Sequence, residues 1–180
     1  MAAIDTGLLV LRIVVGLLMI GHAMQKLTGA FSGDGFAKTA AVFDMIGFKP
    51  GRITVAIAIG AELAGGALLI LGLFTPLAAA ALAGTLVVAA SVHAKNGLWG
   101  SKGGIELPAV LAVAATSLAL IGPGRIALDY ATDLYPAQWL RWTAAIVGLA
   151  AGFAFLAAKP LLARMASPAT AGNTPMEASS

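Results

Sequence analysis

Two histidines, His22 and His93, two glutamates, Glu62 and Glu106, and Lys26 are the residues of this 180-residue chain whose types and apolar surroundings suit chemistry. A histidine donates to or accepts from a carbonyl or hydroxyl, and a lysine or carboxylate beside it balances the charge of a proton in passage. Such a set suits hydrogen bonding to a quinone-like head group, or proton handling. It does not suit a metal, because no His-x-x-x-His or Glu-x-x-His pair occurs on any predicted helix, and bundle metal sites depend on such spacings. Cysteine is absent, which removes disulfides, thiolate ligands and dithiol relays. No glycine-rich phosphate loop follows a strand, and no Ser, His and Asp arrangement can be assembled. Arg12, Arg125 and Asp129 are read as structural ion-pair residues: Arg125 and Asp129 are four apart and suited to a local pair, and Asp129 is an alternative partner for Arg12.

The elements that must position these side chains follow from the composition, 59% hydrophobic and 11% charged. The apolar residues come in runs of about 17 to 22, the length an α-helix needs to cross roughly 30 Å of hydrocarbon. Helices are predicted over Thr6 to Leu27, Ile53 to Phe74, Leu77 to His93 and Ile105 to Ile121, with a fifth over Trp139 to Ala158. Thr75-Pro76 makes a tight turn between the second and third. Phe36 to Phe48 is too short and mixed to cross, and its apolar residues suit an interfacial helix. The first run lacks the basic flank and cleavage site of a secretory signal and is read as retained. The fold class is therefore an all-α membrane protein, an antiparallel bundle of four core transmembrane helices plus a fifth C-terminal one. Its organisation is a four-helix domain over 1–135 with the interfacial helix near 36–48, an added transmembrane helix over 136–165, and a disordered tail over 166–180.

A formal net charge of +3 raises the question of nucleic acid, but the basic residues stand singly at the ends of apolar runs and form no phosphate track. They report topology instead. With five spans, Lys26, Lys38, Lys49, Arg52, Lys95, Lys102, Lys159 and Arg164 share one side, and Arg125 and Arg141 the other. The positive-inside rule makes the first side, with the C-terminus, cytoplasmic in a multi-pass protein of the bacterial inner (plasma) membrane. His22, Lys26, His93 and Glu106 then gather at the cytoplasmic end from three helices, the best candidate site, although headgroups also solvate such residues without any function. The expectation is that at least two of His22, His93 and Glu106 line one cavity, with Lys26 at its rim and Glu62 beneath. Glu62 sits mid-helix, where a charge costs about 2.5 to 3.5 kcal/mol on insertion scales. Arg12 is its expected partner for a structural ion pair, His22 a partner through a water or ligand; lining a polar cavity and staying protonated against a neighbour are the other readings.

Several blocks of the sequence are similar to the DoxX family of bacterial membrane proteins. Helix 1 carries Leu11-Arg12 and Gly16, then Gly21-His22-Ala23-Met24-Gln25-Lys26-Leu27, with alanine where the family has glycine after the histidine. Helix 2 carries Glu62-Leu63-Ala64-Gly65-Gly66 and Leu71-Gly72-Leu73-Phe74-Thr75. His93, Asn96-Gly97 and Gly103-Gly104-Ile105-Glu106 resemble a third block, and Gly122-Pro123-Gly124-Arg125 with Leu128-Asp129 a fourth. The likeness covers Leu8 to Tyr130 and implies four helices, so the segment from Trp139 is a departure. It also implies association with membrane redox systems, as a small subunit beside quinone-linked or detoxifying oxidoreductases, and brings no catalytic mechanism.

The first functional expectation is a membrane-embedded subunit of a redox or detoxification system that binds a quinone-like carrier, has no intrinsic cofactor, and works with a membrane or peripheral oxidoreductase partner. The partner is required because no cysteine, haem or flavin motif is present. A small proton-coupled transporter using Glu62 and a structural membrane anchor are the alternatives.

Overall fold

The computed structural model describes residues 2–166. Among these the chain forms α1 (Ala2–Thr28), α2 (Gly35–Met45), α3 (Gly51–Leu71), α4 (Thr75–His93), α5 (Glu106–Ile121), the single turn α6 (Leu128–Ala131) and α7 (Gln138–Met165), with no strand. Four helices are long and apolar enough to cross a membrane: α1, α3, α4 with the 3₁₀ turn that extends it, and α7. With 16 residues, α5 is shorter, about 24 Å at 1.5 Å per residue. It still runs antiparallel to α4 between both ends of the bundle. At its start Glu106 accepts from Gly100 N–H in the loop after α4, and beyond its end Asp129 accepts from Phe74 and Thr75 at the start of α4.

Small residues set the packing. Buried positions on α4 and α5 include Ala78, Ala79, Ala83, Ala115 and Ala119, while Val10, Leu17, Ile57 and Val113 stay exposed on the outer surface. That distribution suits lipid, which solvates branched side chains as well as a core does and leaves close backbone approach as the main source of cohesion. α1 crosses α3 at Gly16 and Gly66: a Cβ on Gly16 would lie 2.6 Å from the Gly66 carbonyl oxygen, and one on Gly66 2.7 Å from that of Gly16. α4 lies at the centre, against α3, α5 and α7. It meets α7 through Ala80, Gly84, Gly148 and Gly152, where a Cβ on Gly84 would lie 2.6 Å from the Gly148 carbonyl oxygen.

The two ends differ in chemistry. At the end where α1 stops and α3 begins, α2 packs on α1 and α3, and the Asp44 carboxylate accepts from Gly51 N–H at 2.7 Å to hold the start of α3. Phe48 stacks on Phe155 of α7 with ring centroids 5.8 Å apart, and Lys159 lies 4.2 Å over the Phe48 ring. Lys159 therefore reaches the α2 end, as an odd number of long antiparallel helices requires. α7 fills the expected 136–165 segment and extends beyond its apolar run Trp139 to Ala158, continuing through Pro160 to Met165. A proline near a helix end forfeits one backbone bond and need not stop the chain. Of the expected tail, 167–180 lies outside the described residues.

Candidate functional site

Between α3 and α7, floored by α4, lies an open-sided cleft of about 290 Å³. Ile57, Ala58 and Glu62 come from α3, Gly84 and Val88 from α4, and Gly152 from α7, with Phe43 of α2 and Lys26 of α1 at its margin. Its threonines are spent locally: Thr54 donates to Pro50 O and Thr85 to Ala81 O, one helical turn back. The polar groups left to meet a ligand are Lys26 and Glu62. Lys26 Nζ lies 2.8 Å from both Glu62 carboxylate oxygens, with side-chain exposures of 24% and 4%. A third, longer bond runs from Nζ to His22 O at 3.3 Å.

That geometry determines what the pair can offer. Three ammonium hydrogens are already directed, two to Glu62 and one, more weakly, to His22 O, so a ligand carbonyl would compete for the third. Each Glu62 oxygen retains acceptor capacity for a ligand hydroxyl. The ion pair joins Glu62 to Lys26 rather than to Arg12, the partner expected from depth. The reason lies in how helical side chains lean, toward the N-terminus of their own helix. On α1 this carries Lys26 back a turn toward mid-span and Glu62, and carries Arg12 in the same direction, away from Glu62 and toward Ile126.

His22, His93 and Glu106 do not join this cleft. His22 Nδ1 lies 3.0 Å from Gln25 Oε1 on a different side of α1. His93 Nδ1 lies 3.1 Å from Gly103 O, and Asn96 donates to the same oxygen. Glu106 Oε2 accepts from Gly100 N–H at 2.7 Å. Both exposed side chains thus hold the connection between α4 and α5, and the expected convergence of three helix ends reduces here to Lys26 with Glu62.

Arg12 is fully buried at the opposite end and donates to Ile126 O. Among the described residues its Nε and Nη1 find no hydrogen-bond partner, and its charge is attracted by Asp129. The Asp129 carboxylate caps the start of α4, accepting from Phe74 N–H at 2.7 Å and Thr75 N–H at 2.9 Å, while its own N–H donates to Gly72 O at 2.8 Å. A carboxylate on two N–H groups at a helix start also meets the positive end of the helix dipole. Gly72, at φ +66°, is fixed by its surroundings, since a Cβ there would fall on the Arg12 guanidinium. Arg125 does not pair with Asp129; it lies over the Tyr130 ring, and its N–H donates to Asp5 at 2.9 Å. This cluster ties α1, the α3–α4 turn and α6 together.

The DoxX family model matches residues 7–94. This stretch of the chain is a DoxX domain. No curated protein and no solved structure matched the chain. The DoxX domain spans α1 to α4, so it holds Arg12, His22, Lys26, Glu62 and His93 and supplies the floor and one wall of the cleft. The blocks at Gly103 to Glu106 and Gly122 to Asp129 lie beyond the match, as does α7. The other wall, Gly148 to Phe155, thus comes from outside the DoxX domain. Those wall residues are absent from the sequence-based site, although Gly148 and Gly152, four apart in an apolar run, already mark a close helix crossing. Among the described residues no cluster of three or more His, Cys, Asp or Glu could hold a metal ion.

Proposed function

We propose that this multi-pass membrane protein is a non-catalytic subunit of a redox or detoxification system, and that its cleft holds a small quinone-like carrier while a partner oxidoreductase supplies the redox centre. The observation that carries this reading is one buried ion pair, Lys26 with Glu62, on the wall of a cleft that is otherwise apolar. Ligand sites of this kind combine an apolar lining with a few placed polar groups. The open side between α3 and α7 suits a ligand that arrives through lipid, and DoxX proteins are often linked to oxidoreductases or detoxification. In this reading the head group's oxygen takes the Lys26 hydrogen now on His22 O, and a hydroxyl on the reduced form donates to Glu62. The face bearing Lys26, Lys49 and Lys159 is cytoplasmic, in a bacterial plasma membrane.

The test is equilibrium binding of a decyl-chain benzoquinone to the protein in nanodiscs. Lys26→Met, and Ala151→Phe on the exposed part of the α7 wall, should each weaken binding at least tenfold. Undiminished affinity in both would remove the cleft as the carrier site.

The mid-span position of Glu62 favours one second reading, a proton-coupled transporter in which Glu62 exchanges its bond to Lys26 for a proton. Flux driven by a pH gradient in proteoliposomes, abolished by Glu62→Gln, would support it over the first.

A further inference from the structure

A second concavity, of about 260 Å³, lies on α1 away from the cleft, lined by Leu17, Leu18, Gly21, His22, Gln25 and Phe31. Gly21 opens it. Where Gly16 of the same helix is pressed against α3, a Cβ on Gly21 would meet nothing within 4 Å, so the missing side chain leaves a notch in the outward surface.

Hydrogen bonds around the notch fix the state of its imidazole, that of His22. The Phe31 backbone oxygen can only accept, so Gln25 turns its amide nitrogen toward it, at 3.3 Å. The Gln25 side-chain oxygen then faces His22 Nδ1 at 3.0 Å, and it too can only accept. Nδ1 therefore carries the hydrogen, and in the neutral ring Nε2 is left with its lone pair. Among the described residues nothing hydrogen-bonds to Nε2. The notch thus offers an unshared nitrogen acceptor, His22 Nε2, beside apolar side chains.

We propose that this notch is a second ligand site, which takes the hydroxyl group of a membrane-dissolved amphiphile, its O–H donating to His22 Nε2. The tail lies along α1 over Leu18, Leu17 and Val14, which are 43%, 57% and 48% exposed. A carbonyl or ether head has no hydrogen to give Nε2, so the site separates a hydroxyl-bearing molecule from its oxidised or capped form. The hydroxyl can be phenolic, as on a reduced aromatic carrier, or aliphatic, as on a lipid alcohol. This site stands apart from the cleft and does not depend on the reading given to it.

The test uses full-length protein in nanodiscs and three photoreactive probes: a diazirine-bearing alkylphenol, the methyl ether of that phenol, and an alkanol of equal length. Labelled residues are mapped by mass spectrometry. Labelling between Leu17 and Phe31 is expected to be at least tenfold stronger with a hydroxyl probe than with the ether, and the stronger of the two hydroxyl probes assigns the source. His22→Phe, which keeps a ring without the acceptor, and Gly21→Leu, which fills the notch, should reduce hydroxyl labelling to the ether level. Ala151→Phe in the cleft should retain it. Equal labelling by phenol, alkanol and ether overturns the proposal, and so does full hydroxyl labelling in His22→Phe. The probe comparison needs no variant, so poor folding of either substitution leaves the test intact.

Discussion

At the scale of single residues, the pairing of Lys26 with Glu62 dictates asymmetric consequences for substitution. Lys26→Met leaves a carboxylate only 4% exposed without its partner, and breaking a buried pair from one side costs about 3 to 5 kcal/mol. A matched apolar replacement, Lys26→Met with Glu62→Leu, should regain most of that loss in a detergent unfolding titration and yet bind no carrier, which separates stability from function. Gly72→Ala is expected to destabilise by about 1 to 3 kcal/mol, because both the positive φ and the Arg12 guanidinium exclude a Cβ. Which charges sit within the bundle was legible in the sequence: Glu62, Lys26, Arg12 and Asp129 all stand out as charges in or beside apolar runs. Their pairing was not, because depth along a helix axis ignores the lean of the side chain. Two cations on α1 reach in the same N-terminal direction, and that one fact gives Glu62 to Lys26 and sends Arg12 toward Ile126 and Asp129.

At the scale of elements, glycines in the same bundle serve different ends, and equal substitutions should separate them. Gly84→Ala places a methyl 2.6 Å from the Gly148 carbonyl oxygen and should cost about 1 to 3 kcal/mol by forcing α4 and α7 apart. Gly60→Ala meets nothing within 4 Å and should be neutral, or stabilising by about 0.5 to 1 kcal/mol through helix propensity. Unfolding midpoints of the two variants, measured side by side, check the contrast. The five long helices lie, in order, where the apolar runs place them, whereas the single turn α6 has no such run to mark it. Helix ends follow less well. α7 passes through Pro160, and α4 begins at Thr75 because Asp129, distant in sequence, supplies the cap that no local side chain provides. Gatherings at a helix end are equally hard to read: His93 and Glu106 share a level but are each spent on the backbone of the loop between them.

At the scale of the whole molecule, the two ends of α7 lie at opposite ends of a bundle of five long antiparallel helices, and the positive-inside rule predicts that the end bearing Lys26, Lys49 and Lys159 is cytoplasmic. Reporter fusions at Tyr130 and beyond Met165 should report periplasm and cytoplasm respectively; the same compartment for both would remove one pass. The contact of α4 with α7 has a further consequence. The Ala80–Gly84 face of α4 is a docking groove for a helix, and α7 fills it from within the same chain, held by the exposed link through Leu134 and Tyr135. A covalent link turns what would be a bimolecular encounter into an intramolecular one, with an effective concentration near the millimolar range for short tethers. Severed at that link, α7 becomes a separate subunit that must find α4 by diffusion in the bilayer, and one wall of the cleft becomes dependent on how much of it the membrane contains.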